Sequence, residues 1–389
     1  MYKKLTFLLI VLLYVGCNNQ NDEKNNSLND IEITIAQVQK EILPDSRDAI
    51  FEWQILHQKN SLILKGKTNQ LFLKQQFVEK LQMLNINFID SIKLLPIDIF
   101  KDKKLICRVS VANLRAKPKH SSELVTQVLM GTPVDVYEEE NGFYRVRTPE
   151  NYYAWVDKAA MQMLTKNELA EYLKLQKIIT IRHCGKIYEK PSQENVVSDF
   201  VLNNVFVLLK KGEDYSHIRL PDGRTAYIHN NEYVTLKTFE EKIKSLTPQQ
   251  VVQNAMVYIG IPYLWGGTST KGLDCSGFTK DLLAQAGYLL PRDASQQVKI
   301  GKPIPLKDDF THLQTGDLLF FGRVEKGIEK ITHVAVNIEN GKMIHASGSV
   351  KIESLNPNSP LYNEDRKKTL LQIRRVLGHY PQNFSKIFY

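Results

Sequence analysis

A stretch of self-similarity near the middle of this 389-residue chain limits its fold more than any other feature. Asn113-Leu-Arg-Ala-Lys-Pro118 aligns with Lys186-Ile-Tyr-Glu-Lys-Pro191 at an offset of 73, and Val128-Leu129 aligns with Val201-Leu202 at the same offset. After a slip of one residue, Arg147 and Pro149 align with Arg219 and Pro221, and Ala154-Trp155-Val156 with Ala226-Tyr227-Ile228. Each copy is a series of short β-branched runs broken by turn residues, which is the pattern of a small barrel. The copies are expected over residues 105–164 and 177–236, with a helical connector at Lys166–Leu175.

Other folds must occupy both flanks. Residues 31–100 read as a small α+β unit. It has a helix at Ile31–Ile42, strands at Phe51–Leu56 and Ser61–Lys65 around a His57–Asn60 turn, a helix at Leu71–Leu84 and a strand at Phe88–Leu95. The order resembles small periplasmic BON-type domains. No cluster of His, Cys or carboxylates stands out there, so a packing or positioning role is expected. Further upstream, Lys3 and Lys4 precede an apolar run at Leu5–Val15, too short to span a bilayer, and Val15-Gly16-Cys17 precedes Asn18, Asn19 and Gln20. This resembles a bacterial lipoprotein signal over residues 1–16, with Tyr14 where Leu is usual. The resemblance implies lipidation of Cys17 and a membrane partner through that anchor. It also implies a cell-envelope location, at the periplasmic face or outer membrane of a Gram-negative bacterium. Residues 17–30 are polar and are expected to form a flexible tether.

From Thr247 the texture changes to helix followed by sheet. Thr247 with Pro248 is an N-cap with Pro at the first helical position. A Gly/aromatic loop, Ile261-Pro-Tyr-Leu-Trp-Gly-Gly267, leads to Leu273-Asp-Cys-Ser-Gly277 and a second helix that Gly287 stops. Cys275 falls at the amino end of that helix, where unpaired N–H groups favour a thiolate. Strands are expected at Asp317–Phe321, Ile331–Ile338 and Lys342–Ala346. His333 and His345 lie on the last two. A three-residue loop, Glu339-Asn340-Gly341, would pair Ile338 with Lys342 and set both imidazoles on one face; a two-residue Asn340-Gly341 turn would set them on opposite faces. The three-residue loop is expected.

Five ordered segments then carry a specific resemblance: Tyr263-Leu-Trp-Gly-Gly, Leu273-Asp-Cys-Ser-Gly-Phe, Thr315-Gly-Asp-Leu, Thr332-His-Val-Ala and Met343-Ile-His-Ala. They resemble the signatures of NlpC/P60 cysteine peptidases, over a catalytic region of 247–389. The first repeat copy resembles a bacterial SH3 domain, and the second copy is more divergent. The implied fold class is α+β: a papain-like NlpC/P60 catalytic domain preceded by two small SH3-like β-barrels and a small α+β N-terminal domain. By the same resemblance Cys275 is the nucleophile, His333 the general base, His345 its orienter and Tyr263 a support for the oxyanion. The order of domains resembles γ-D-glutamyl-L-diamino-acid endopeptidases that recognise the free amine of an N-terminal L-Ala. That assigns Asp293, Glu123 and Tyr152 to substrate binding, with Tyr153 a rival to Tyr152, and leaves Trp265 either lining the cleft or in the core.

Composition narrows the partners. Lys+Arg of 51 against Asp+Glu of 42 gives a net charge of +9, which favours acidic partners without choosing among them. Arg366-Lys-Lys368 and Arg374-Arg375 lack aromatic interleaving and read as solvated faces, so nucleic acid is not expected. Peptidoglycan-derived peptides are the expected partners of a monomer that needs no cofactor. No metal site is expected, because the Cys and His spacing lacks compact ligand pairs. Four cysteines build no disulfide framework, although a Cys107–Cys184 bridge stays open. Two rival functions also stay open: a lytic endopeptidase acting on polymeric wall, and a non-catalytic envelope binding protein.

Overall fold

The structure, a computed structural model, describes residues 19–58, 61–307 and 309–388 and divides after Leu95 into two compact units. The signal segment and Cys17 lie outside the described residues. The first unit holds α1 (Asn19–Ile42), β1 (Phe51–Gln58), β2 (Ser61–Thr68), α2 (Leu71–Met83) and β3 (Ile89–Leu94). β2 pairs antiparallel with β1 and parallel with β3. Ile35 and Val38 of α1 and Phe77 and Leu81 of α2 bury against Leu64 of β2. The expected tether is not irregular chain, because from Asn19 onward it is the first half of α1. No Gly or Pro interrupts residues 18–42, and the Gln, Glu and Lys among them lose little rotamer freedom in a helix.

The repeat emerges as two sheets of identical connectivity. β4 (Lys103–Cys107), β5 (Val111–Arg115), β6 (Leu124–Leu129), β7 (Pro133–Glu140), β8 (Phe143–Arg147), β9 (Tyr153–Asp157) and β10 (Met161–Thr165) lie in the order β10-β4-β7-β8-β9-β5-β6. After α3 (Lys166–Lys174), whose Thr165 and Glu168 form a capping box, come the strands of the second copy. They are β11 (Lys177–Thr180), β12 (Cys184–Tyr188), β13 (Val196–Val201), β14 (Val205–Lys210), β15 (Tyr215–Arg219), β16 (Thr225–His229) and β17 (Tyr233–Thr235), in the order β17-β11-β14-β15-β16-β12-β13. Residues 96–100, expected with the N-terminal unit, belong instead to the first copy. Ile97 N–H donates to the Tyr137 carbonyl, and Phe100 is buried edge-on against Tyr144. Cys107 is buried and Cys184 exposed, and neither is in a disulfide.

The C-terminal region opens with α4 (Leu236–Ile243) and α5 (Pro248–Ala255), the latter capped by Thr247 and Gln250 with Pro248 in its first turn. A short hairpin, β18 (Thr268–Ser269) and β19 (Gly272–Leu273), leads into α6 (Cys275–Ala284), followed by α7 (Ala294–Gln297). A six-stranded antiparallel sheet follows, built from β20 (Lys302–Ile304), β21 (Leu318–Glu325), β22 (Ile328–Glu339), β23 (Lys342–Ser347), β24 (Ser349–Ser354) and, after α8 (Glu364–Thr369), β25 (Leu370–Arg375). Its order is β20-β25-β21-β22-β23-β24, and α9 (Phe384–Phe388) ends the described chain. Phe278, Leu282 and Leu283 of α6 pack on Leu318, Phe320, Val334, Val336, Ile344 and Ala346. The alternate residues Leu319, Phe321, Ala335 and Met343 fill a second core on the other face.

The hairpin between β22 and β23 corrects the expected three-residue loop. Glu339 pairs with Lys342 across a two-residue turn in which Asn340 (φ 44°) and Gly341 (φ 78°) are both left-handed, as a type I′ turn requires. Ile338 is then an extra, bulged residue, and pairing resumes at Asn337–Met343 and Val336–Ile344. The bulge shifts the register by the residue that the shorter turn removed. His345 therefore stands level with Ala335 and diagonal to His333, on one face.

Candidate active site

Cys275 is the first residue of α6, and its position follows from the residue before it. The Asp274 carboxylate caps the helix by accepting from Gly277 N–H (2.7 Å) and also accepts from Gly266 N–H (3.0 Å). Gly277 has to be glycine here, because a Cβ would meet the Gly267 carbonyl oxygen at 2.0 Å. Arg292 holds the same carboxylate through both guanidinium nitrogens and donates to Ser276 Oγ (3.0 Å). Arg292 is 2% exposed and Asp274 is 7% exposed, so this is a buried, paired charge cluster directly under the helix start.

Burial of the site, together with the Asp274 carboxylate, opposes the expected thiolate. Burial pushes the Cys275 thiol up to about 11, with the Asp274 carboxylate adding to the rise. The backbone N–H groups of Val334 and Ser276 and the Arg292 guanidinium pull the other way without prevailing. The helix terminus that would favour an anion is already occupied by Asp274. Val334 precedes Ala335 and directly follows His333, so β22 brings the imidazole strand against the thiol.

His333 Nε2 lies 2.7 Å from His345 Nδ1, the ring centroids 5.0 Å apart and nearly perpendicular. His345 is fully buried, and its Nε2 lies 3.0 Å from Glu353 Oε2, at an oblique angle. Glu353 stands on β24 and also receives Lys351 Nζ (2.7 Å) and Asn363 Nδ2 (2.8 Å). Burial drives His333 down to about 2, helped by the positive Arg366 and by His345, and burial also lowers His345. These shifts favour a neutral thiol and neutral imidazoles at neutral pH. Tyr263 is half-buried in the loop ahead of α6. Burial and the neighbouring Cys275 push its hydroxyl up to about 12, so it stays a hydrogen-bond donor.

The residues assigned to substrate binding gather along the first repeat copy. Trp265 is 64% exposed and is not a core residue; its Nε1–H donates to Glu123 Oε1 at 2.8 Å. Tyr152 is half-buried and, like Asp293, the N-cap of α7, lies close enough to Arg292 to act on its charge. Tyr153 points elsewhere, edge-on to Tyr137 at 5.6 Å. The copy is fixed in place by Gln127, whose Oε1 accepts from Thr268 N–H (2.9 Å) and Ser269 Oγ (3.0 Å), and by a buried Lys280–Glu150 pair at 3.2 Å. Gly266 (φ 78°) allows this contact, since a Cβ there would meet the Leu124 carbonyl oxygen at 2.3 Å. A cleft of about 470 Å³ between the second copy, α4 and α5 contains none of these side chains.

Three participants were not foreseen from sequence. Glu353 and Arg292 carry no local motif. Arg366 was read as part of a solvated face, yet it is half-buried over the Phe321 ring and next to His333. For Glu353 a faint signal existed, since alternation puts Lys351 and Glu353 on one side of a strand adjoining a histidine strand.

Residues 260–375 match the NlpC/P60 family, and residues 110–162 match the bacterial SH3 domain. The chain is 30% identical over 275 residues to a dipeptidyl-peptidase 6 of Lysinibacillus sphaericus, covering 68% of this chain and 96% of that one. The chain belongs to the NlpC/P60 family. A γ-D-glutamyl-L-lysine dipeptidyl-peptidase of Bacillus cereus is 28% identical over 255 residues, covering 63% of this chain and 74% of the relative. The crystal structure of an NlpC/P60 family protein from Bacillus cereus superposes with a TM-score of 0.60 at 25% identity, over 70% of this chain and 99% of that chain. This NlpC/P60 chain is thus a member of a peptidase family with a bacterial SH3 domain ahead of its NlpC/P60 domain.

Proposed function

We propose that this protein is a cysteine endopeptidase of the cell envelope. It hydrolyses the γ-D-glutamyl bond to a diamino acid in short peptidoglycan stem peptides that carry a free N-terminal L-Ala. The observation that carries the reading is the His333–His345 contact of 2.7 Å on the strand that serves the Cys275 thiol. Relatives named γ-D-glutamyl-L-lysine dipeptidyl-peptidase support the bond, and a dipeptidyl-peptidase must count two residues from a free amine.

The chemistry runs from a neutral pair. Because His333 Nε2 is engaged by His345, Nδ1 is the atom that takes the Cys275 proton as sulfur attacks the γ-carbonyl carbon. The oxyanion meets the Tyr263 hydroxyl and the Cys275 backbone N–H. His333 then gives its proton to the leaving amine, and a thioester to sulfur remains. Water, deprotonated by His333, attacks the thioester, releasing L-Ala-D-Glu and returning the proton to sulfur. In this reading Glu123, Tyr152 and Asp293 receive the ammonium of L-Ala, with Trp265 holding Glu123 in position. A carboxylate pair suits a cation removed from water. Such an arrangement excludes stems still amide-linked to glycan, which favours peptide recycling over wall lysis. The second sheet acts as a further SH3-like module, and lipidated Cys17 would tether the enzyme to a membrane.

The test follows L-Ala-γ-D-Glu-meso-diaminopimelate by mass spectrometry, beside the same peptide acetylated on its amine, with Cys275→Ala as control. Release of L-Ala-D-Glu from the free peptide alone, and only with Cys275 present, is expected. Equal cleavage of both peptides would remove the amine site. Cleavage of neither would remove the enzymatic reading.

A further inference from the structure

Arg366 is a charged group at the candidate site that the reaction above leaves unused, and unlike Arg292 and Lys351 it has no carboxylate partner among the described residues. Its guanidinium lies over the Phe321 ring at 5.6 Å, and the Phe321 and His333 rings are 5.7 Å apart. Nη2 donates to Ser347 Oγ at 3.3 Å, two residues beyond His345. The arginine is half-buried at the start of α8, whose cap residue Asn363 binds both the Arg366 backbone N–H (3.0 Å) and Glu353. The other cation here, Lys351, has Glu353 as its partner. Among the described residues, no carboxylate forms an ion pair with Arg366. An uncompensated guanidinium beside the buried His333 opposes the imidazolium that the reaction must form; Glu353 offsets it at His345, and no carboxylate among the described residues does so at His333. An anionic ligand would.

We infer that Arg366 is the anchor for the α-carboxylate of the diamino acid that leaves when the bond is cut. The inference rests on the proposed function and specifies its substrate further. His333 Nδ1 protonates the leaving nitrogen, and the α-carboxyl carbon is two bonds from that nitrogen. A group on the His333 side of the cleft therefore meets the leaving residue, and a planar guanidinium matches a carboxylate in two parallel hydrogen bonds. A carboxylate seated there also cancels the positive charge facing His333, so the ligand that is held also restores the base. Stems ending at the diamino acid keep this carboxylate free. Stems extended by a further residue have it in an amide.

The experiment uses the full chain and three peptides: L-Ala-γ-D-Glu-L-Lys, the same peptide amidated at the Lys carboxyl, and the same peptide amidated at the α-carboxyl of D-Glu. The wild type should cleave the free acid with a kcat/KM roughly ten- to a hundredfold above that for the Lys amide, the loss of one charged hydrogen-bonded contact. Arg366→Gln should bring that ratio to about one and Arg366→Lys should leave it between, while discrimination against the D-Glu amide stays unchanged. Ratios within one preparation do not depend on the fraction of variant that folds. Equal wild-type rates on acid and Lys amide would overturn the inference and leave the proposed function standing. So would an Arg366→Gln effect equal on both peptides, or one confined to the D-Glu amide. No cleavage of any peptide by the wild type would overturn the function itself.

Discussion

In the proposed reaction His333 can serve Cys275 only if its two ring nitrogens are kept distinct, and the residues behind it are placed to do this. For Nδ1 to accept a proton, Nε2 must carry one, which makes His345 Nδ1 the acceptor of the 2.7 Å contact. His345 Nε2 must then carry its own proton toward Glu353. Glu353 is therefore a positioning residue that acts through His345. Glu353→Gln offers an amide N–H that reverses this chain of tautomers, and kcat should fall on the order of 10–100-fold, a typical effect of losing an orienting partner. KM should change little, because Glu353 does not face the peptide. A proportional loss in binding, or kcat retained within twofold, would show that the carboxylate only caps α8 through Asn363. At this scale the sequence singled out candidate residues where a residue type is rare and its neighbours are patterned, as with Cys275 at a helix start and the His333–His345 contact. It was silent on Arg292 and Glu353, whose roles come from partners distant in the chain. It did not foresee the raised thiol because burial of the site, the larger cause, and the charge of Asp274 at the helix start depend on tertiary packing.

The elements were legible in kind and less so at their joints. The capping residues Thr247 and Pro248 and the stop at Gly287 each act locally, so the helices fall where expected. The β22–β23 hairpin involves two competing local rules. Asn340-Gly341 strongly favours a two-residue turn, while the histidine pair requires the register of a three-residue one. The chain satisfies both by making Ile338 an extra residue, a combination that considering whole loops alone does not reveal. Ile338 is thus a spare. Deleting it leaves Asn337 opposite Met343 in a regular hairpin, so peptidase activity should stay within about tenfold, the loss expected from local loosening rather than from removing a partner. Deleting Ile344 instead turns His345 to the other face and should abolish activity while the protein still folds. Kinetics and circular dichroism of the two deletions check this, and similar losses in both would refute it.

Across the molecule, the repeat was the most legible feature, since two copies with one strand order follow from one sequence pattern. The joints between copies and catalytic region were not legible, because Gln127, Glu150 and Asn203 carry no motif. One joint has a pH dependence with a definite sign. Asp281 of α6 accepts from Tyr258 Oη (2.8 Å) and from Asn203 Nδ2 (3.0 Å) in the second copy, and burial raises it from 3.8 to about 6. The folded state therefore keeps the proton that the unfolded chain releases first, so this residue's contribution to stability falls as pH rises from about 4 to about 6, then levels off. Relative to the wild type, Asp281→Asn should gain stability over that interval, read as midpoints of urea unfolding at pH 4, 5, 6 and 7. A difference that stays constant with pH would contradict it. Another joint ties recognition to reactivity. Gly266 lies so near the Leu124 carbonyl of the first copy that a Cβ would meet its oxygen at 2.3 Å, and its N–H holds the Asp274 carboxylate that caps the Cys275 helix. Under the proposed function, the module that measures the peptide and the atom that cuts it are thus neighbours through a single residue. Such a chain cannot be retargeted by grafting on another binding module as a cassette: replacing the ruler would also retune the blade.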